Sequence, residues 1–300
     1  MKKNLIPWLA LAILSLTSCG GNATSLSSLL SSNGGSASSN ASSTPSSQSR
    51  DLDGYNLVWS DEFDGTELDT SYWSYDLGAS GWGNQELEYY NQDNAVVENG
   101  VLTITGKKET YRNANYTSSR IKTVGKAYTT YGRIEARIKL SAQNAMWPAF
   151  WMMPEENTSW PYSGEIDIME NKGSDAYTTT SALHYLNGNQ QGDYQVGGYA
   201  FSQRNKEGTI EDWHTYYVVW DADEFNFYVD DHLKLTVPKR TWHPAGGKAY
   251  TSDDDFPFNK NFYVILNLAI GGTFDGGREP DADFVSAEMQ VDYVRMYQFK

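Results

Sequence analysis

Near the middle of the chain, Ser163-Gly164-Glu165-Ile166-Asp167-Ile168-Met169-Glu170-Asn171 places three carboxylates within six residues, separated only by apolar side chains. On a regular strand side chains alternate faces, so Glu165 and Asp167 share one face while Ile166 and Ile168 take the other. Continued alternation would put Met169, not Glu170, beside the first two acids. One extra residue, a β-bulge, resets the count and swings Glu170 onto their face. Acids aimed in this way can break a glycosidic bond: one attacks the sugar carbon and another protonates the leaving oxygen. A third between them tunes both by like-charge repulsion. The competing reading is a strand edge with its acids in water. The residues before the motif argue against it. Met146-Trp147-Pro148-Ala149-Phe150-Trp151-Met152-Met153-Pro154 and Trp160-Pro161-Tyr162 are aromatic and apolar, and flat aromatic faces suit the apolar faces of sugar rings.

The elements that must carry these residues read as strands. Gly132–Leu140 alternates, with Ile134, Ala136, Ile138 and Leu140 on one side. Further strand signals fall at Val101–Thr105, Tyr216–Trp220, Asn226–Val229, Phe262–Leu268 and Val291–Gln298, and Asp230-Asp231 before Leu233–Val237 reads as a hairpin. Gly, Asn and Asp clusters punctuate the gaps. Many strands without helical patterns predict an all-β fold, an antiparallel two-sheet sandwich with a concave face as the cleft.

The ends set the context. Lys2 and Lys3 precede a mostly apolar run from Leu5 to Leu16, too short for a stable membrane span. The run ends in Leu16-Thr17-Ser18-Cys19-Gly20, which resembles a bacterial lipoprotein signal with Cys19 as the lipidated residue. A plain secretory leader with an incidental cysteine is the alternative. Cys19 is the only cysteine, so neither an internal disulfide nor a thiolate zinc site can form. Gly20 to Arg50 is rich in Ser, Asn and Gly and contains no acid. It reads as a tether spanning roughly 30 Å as a random coil. The expected organisation is therefore a leader over 1–19, a tether over 20–52 and one domain over 53–300. The first 50 residues hold only three bases, leaving 38 acids against 20 bases in the remainder. Such acidity argues against nucleic-acid or anionic-glycan partners and suits a neutral polysaccharide.

Between Tyr55 and Gln298 the order of segments resembles glycoside hydrolase family 16. The segments are Val58-Trp59-Ser60-Asp61-Glu62-Phe63-Asp64-Gly65, Gly81-Trp82-Gly83-Asn84-Gln85-Glu86-Leu87-Glu88-Tyr89-Tyr90, Ser118-Ser119-Arg120-Ile121, Trp147–Trp151, the acid motif, Leu183-His184-Tyr185, Asn267–Gly272 and Val291-Asp292-Tyr293-Val294-Arg295. The resemblance implies a jelly roll in which Glu165 is the nucleophile, Glu170 the acid/base and Asp167 their electrostatic partner. The two-residue gap before Glu170 resembles the bulged form of laminarinases and also of agarases and some carrageenases, while the Gly-Trp-Gly-Asn-x-Glu segment resembles the laminarinase branch. That branch acts on β-1,3-glucan and in many members on mixed-linkage β-1,3-1,4-glucan. Gly272-Thr273-Phe274-Asp275 departs from the Asn-Trp pair many laminarinases carry after the glycines, and Leu186 to Arg204 reads as a Gly/Asn/Gln-rich loop.

The resemblance also implies roles for residues that alone would carry none. Asn84 and Arg120 bind sugar hydroxyls; in isolation either is a surface or turn residue. Trp147, Trp151 and Trp160 stack on sugar, with at least one of the three expected in the core, and Trp82 has the same ambiguity. His184 is a cleft histidine, with a core histidine as the alternative. Asp292 is the carboxylate ligand of a structural calcium ion completed by the backbone carbonyls of Glu62 and Gly100; a salt bridge to Arg295 or another base is the alternative. Catalysis requires no cofactor. The whole reads as an exported, membrane-anchored, monomeric endo-β-glucanase. The same chemistry on agarose, or a surface glycan-binding protein that no longer cuts, are the competitors.

Overall fold

The computed structural model describes residues 51–156, 160–186, 192–238 and 257–300. Cys19, the leader, most of the tether and His243 lie outside the described residues. The strands in chain order are β1 (Tyr55–Asp61), β2 (Ser74–Asp76), β3 (Glu88–Tyr90), β4 (Ala95–Glu98), β5 (Val101–Lys107), β6 (Tyr116–Ser118), β7 (Arg120–Lys122), β8 (Tyr128–Thr129), β9 (Gly132–Leu140), β10 (Met146–Pro154), β11 (Glu165–Glu170), β12 (Thr178–Leu186), β13 (Gly192–Ala200), β14 (His214–Trp220), β15 (Glu224–Val229), β16 (His232–Pro238), β17 (Phe262–Ile270) and β18 (Ser286–Phe299). A single 3-10 turn, Gln92–Asn94, is the one helical element among the described residues.

Two sheets form, as the strand signals predict. One runs β16-β15-β14-β9-β18-β5-β6-β3, with β1 on β18 and β4 on β5. The other runs β13-β12-β11-β10-β17-β7-β2, with β8 on β17. Apolar residues at every second position fill the space between them. Ile134, Ala136, Ile138 and Leu140 are buried from β9, and Met146, Phe150 and Met152 from β10. The Asp230-Asp231 hairpin forms with both residues at positive φ, which matches the twist of its flanking strands.

One expectation is corrected. The Gly-rich stretch after Leu186 is not all loop, because Gly192–Ala200 forms β13 and pairs with β12 along its length. Gly197 has no side chain to resist Leu235, which lies 2.9 Å from where its Cβ would be. Glycine here permits a close approach of elements, while weakening the strand signal in the sequence.

The bulge expected in the acid strand is present. Against β10, Phe150 pairs with Met169 but Trp151 pairs with Asp167, so Ile168 is the extra residue. The β12 partner shows the same shift between Asp167 and Glu170. Ile166, Ile168 and Met169 are all fully buried, each worth about 1.5–3 kcal/mol of burial. Those three apolar anchors hold the acids outward. Gly164 leads into the strand at φ +84°, and a Cβ there would fall 2.8 Å from the Phe258 ring.

Candidate active site

A cleft of about 590 Å³ opens on the β10–β11–β17–β7 face. Glu165, Asp167 and Glu170 form its floor, while Asn84, Arg120, Trp147, Trp151 and Trp160 are among its walls. Each wall tryptophan is held by its indole N–H. Trp147 donates to Glu170 Oε1 at 2.9 Å, Trp160 to Glu165 Oε2 at 3.2 Å, and Trp151 to Asn267 Oδ1 at 2.7 Å.

No one of the three tryptophans is in the core, contrary to expectation. Trp147 and Trp151 are four residues apart on one strand and so share a face, and Phe150 fills the core position between them. Ala149, opposite Glu170 in register, leaves the space in front of that acid open. Trp82 also lines the cleft. The Arg120 guanidinium lies between the Trp82 ring at 5.1 Å and the Trp151 ring at 4.7 Å, and its Nε is 3.0 Å from Asp76. Two cation–π faces and an ion pair fix its orientation.

His184 is the β12 partner of Glu165. Its Nε2 lies 3.3 Å from Asp167 Oδ2 and 3.9 Å from Glu165 Oε1, and its ring meets Trp160. It is partly exposed beside the acids rather than buried in the core, although it is not among the residues that line the cleft. Burial pushes its pKa down, which keeps the ring neutral at pH 7. The donor atoms of Glu165, Asp167 and His184 lie within 4.8 Å of one another, close enough to hold a cation; the same carboxylates are those a glycosidase needs.

Burial pushes the Glu165 carboxyl up to about 7, the Glu170 charge adds to it, and Arg120 and the Trp160 hydrogen bond oppose it. Burial pushes Glu170 up to about 7 as well, against the Trp147 hydrogen bond, Lys234 and Lys172. Asp167 is held well above its ordinary range by burial and then by the Glu165 and Glu170 charges. Like charges this close cannot all ionise, so the group retains protons near neutral pH. That is the state a glycosidase requires, with one carboxylate to attack and one acid to give its proton.

Sequence reasoning passed over several residues. Glu86, Ser80 and Asn267 line the cleft. Asn267 is the one amide in the otherwise apolar strand β17, opposite Arg120 in register, which was a usable signal. Lys234, from the other sheet, has its amine pushed down to about 7 by desolvation, with Glu170 opposing; nothing in its local sequence marked it. Phe274 stacks on Trp147 at 4.8 Å, so the departing Thr273-Phe274 pair still supplies an aromatic beside the cleft. His214, given no role, is buried between Asp230 and the Thr209 carbonyl.

The proposed metal ligands lie away from the acids. Asp292 sits at a register shift in β18, where Val291 pairs with Leu102 of β5 and Val294 with Asp61 of β1. This brings the segments of Glu62, Gly100 and Asp292 together. Asp292 forms a salt bridge, and its partner is Arg137 at 2.7 Å, not Arg295. Arg295 instead pairs with the Glu62 carboxylate at 2.8 Å.

The family model for glycosyl hydrolases family 16 matches residues 83–294. The beta-glucanase of Rhodothermus marinus is 39% identical over 82% of this chain and 86% of its own length. The glucan endo-1,3-beta-glucosidase A1 of Niallia circulans is 38% identical over 81% of this chain, which spans only 38% of that longer protein. The catalytic domain of an endo-1,3-beta-glucanase (laminarinase) from Thermotoga petrophila superposes with a TM-score of 0.73 at 35% identity, covering 82% of this chain and 98% of that domain.

Proposed function

The chain belongs to glycosyl hydrolase family 16, and on that premise we propose that it is an endo-acting, retaining β-glucanase that cuts β-1,3-glucan and also mixed-linkage β-1,3-1,4-glucan. The observation that carries the reading is the bulge at Ile168. It sets Glu165, Asp167 and Glu170 on the floor of one tryptophan-walled cleft. In the first step a Glu165 oxygen attacks the anomeric carbon. The bond from that carbon to the glycosidic oxygen breaks, and Glu170 gives its proton to the departing oxygen. In the second step Glu170 takes a proton from water, the water oxygen bonds to the anomeric carbon, and the ester to Glu165 breaks. Asp167, whose carboxyl is held well above its ordinary range by burial and by the Glu165 and Glu170 charges, stands between the two and tunes them electrostatically. Among the described residues the one arginine lining the cleft is already neutralised by Asp76, which suits an uncharged glucan better than a sulfated one. Proton NMR of the first product from laminarin is expected to show the β-anomer, with a ladder of oligosaccharides rather than single sugars. Early accumulation of the α-anomer, or cutting of agarose with none of laminarin, removes the proposal.

The localisation reading rests on the residues around Cys19. A lipid on Cys19, followed by the Ser/Asn/Gly tether, holds the monomeric catalytic domain off a membrane in the cell envelope. The wild type is expected in the membrane fraction and Cys19→Ser in the soluble one. Recovery of wild type free in the medium refutes the anchor.

The calcium reading rests on oxygen donors alone. The Glu62 and Gly100 carbonyls and the Asp292 carboxylate are hard ligands of the kind calcium takes, and the pairing of β18 with β1 and β5 supports the reading by bringing their segments close. Arg137 already compensates Asp292, which makes the ion a modest stabiliser. An ion at a hundredfold excess over its Kd adds about 2.7 kcal/mol. Excess EDTA is expected to lower the melting temperature and calcium to restore it. An equal EDTA shift in Asp292→Ala rejects the site.

A further inference from the structure

Along the Asn84 wall of the cleft a second pair of carboxylates meets. Glu86 is 9% exposed and Glu88 is fully buried. Glu86 is saturated with donors: Oε1 accepts from Asn84 Nδ2 at 3.0 Å and Oε2 from the Tyr90 hydroxyl at 2.8 Å. Tyr90 in turn accepts from Asn267 Nδ2 at 3.2 Å, and Asn267 accepts from Trp151. A hydrogen-bond chain thus runs from a wall tryptophan, through Tyr90, to Glu86.

Glu88 is different. Its Oε2 accepts the Ile270 amide at 2.7 Å, while its buried Oε1 receives no donor. Its other polar neighbours are Glu86 and its own backbone amide. Among the described residues no lysine or arginine forms an ion pair with either acid. The cation on this side, Arg120, is engaged by Asp76, Trp82 and Trp151. Two ionised carboxylates buried side by side without a counter-ion are strongly unfavourable. Glu86 already receives two donors and acts as the acceptor, so the proton belongs on Glu88 Oε1. There it converts an orphaned acceptor into a donor.

We propose that Glu88 is a positioning residue that works in its protonated form, donating to Glu86 and so fixing the Glu86–Asn84 wall of the cleft, and that loss of this proton weakens glucan binding at alkaline pH. The inference rests on the reading of the cleft as a β-glucan site. The groups facing the pair are the Asn84 side-chain amide, the Tyr90 hydroxyl, the backbone amides of Ile270 and Glu88 and, farther off, Arg120. Burial and the Glu86 charge hold the Glu88 carboxyl well above its ordinary range. Burial and both carboxylates also hold Tyr90 up, so its hydroxyl stays a donor while Glu88 titrates.

The test uses a Glu165→Gln chain, which binds without cutting, titrated calorimetrically with a soluble β-1,3-gluco-oligosaccharide at about pH 6 and about pH 9.5. Affinity is expected to fall on the order of tenfold at the higher pH, the scale of one lost hydrogen bond to a charged group. Adding Glu88→Gln supplies an N–H donor that cannot be lost, so the loss between the two pH values is expected to shrink by on the order of tenfold, leaving only what the titration of Glu170 on the cleft floor contributes. In the active enzyme, Glu88→Gln flattens the alkaline rise in KM and leaves the kcat limb in place, a split that a merely structural role would not give. Equal losses with and without Glu88→Gln overturn the inference, as does tenfold weaker binding by Glu88→Gln at pH 6. If Glu88→Gln does not fold, a wild-type KM that is flat to pH 9.5 overturns it instead. Absence of binding by either chain at both pH values is a separate outcome: it removes the β-glucan reading and this inference with it.

Discussion

Replacing Glu165 with Gln is expected to lower the rate on soluble β-1,3-glucan on the order of 10⁴-fold or more, as loss of a covalent nucleophile does, while raising thermal stability above neutral pH. The two effects have one cause. Glu165 is buried beside two other acids and its carboxyl is raised to about 7. A raised carboxyl pKa means the folded chain binds more protons than the unfolded chain between about pH 4.3 and the folded value. Stability therefore falls as pH climbs through that window and stays low above it. Gln has no charge to desolvate and keeps an acceptor for the Trp160 indole. At pH 8 the variant is expected to melt a few degrees higher, corresponding to about 1–3 kcal/mol, and at about pH 4 the two proteins should melt together. Near-wild-type turnover in Glu165→Gln would remove it as nucleophile. A lower melting temperature at pH 8 would show that its contacts outweigh its desolvation.

Glu170→Ala is expected to cost about 10²–10⁴-fold on glucan, the usual range for a lost general acid, but far less on an aryl β-glucoside whose leaving group departs without a proton. Trp147 donates to Glu170, and Lys234 and Lys172 favour its charged form, yet burial dominates and the carboxyl is raised to about 7. The sign follows. Below that value Glu170 has the proton it must donate; above it the proton is gone, and kcat on glucan falls. With the activated substrate that alkaline limb is expected to disappear. Steady-state rates on both substrates across pH check this. An equal loss on both would reassign Glu170 to binding or packing.

The chemistry was more legible than its setting. Three acids with apolar spacers and one residue too many required a bulge, and the bulge sits where the count demanded it. Period-2 parity also held the positions of Trp147 and Trp151, both on the acid face, although the habit of placing one tryptophan of a hairpin in the core pointed the other way. What resisted reading depended on contacts distant in sequence. Lys234 reaches the neighbourhood of Glu170 from the opposite sheet. Gly197 is in a strand because Leu235 packs against it. Glu88 is an ordinary acid in the sequence and becomes unusual only once Glu86 and the Ile270 amide surround it. The partner of Asp292 likewise follows from strand order: Arg137 lies across on β9, while Arg295, three residues along, faces Glu62.

The strand that bears the acids lies inside its sheet, hydrogen-bonded to β10 on one side and β12 on the other, and β10 is itself flanked by β17. Amides in such strands exchange with solvent mainly when the whole domain opens. The catalytic floor is therefore expected to be as durable as the domain, because β12 and β13 stand between the acid strand and the sheet edge on that side. Heat should extinguish turnover and tertiary structure in a single event, and selection for a hotter habitat could act anywhere in the sandwich without touching the site.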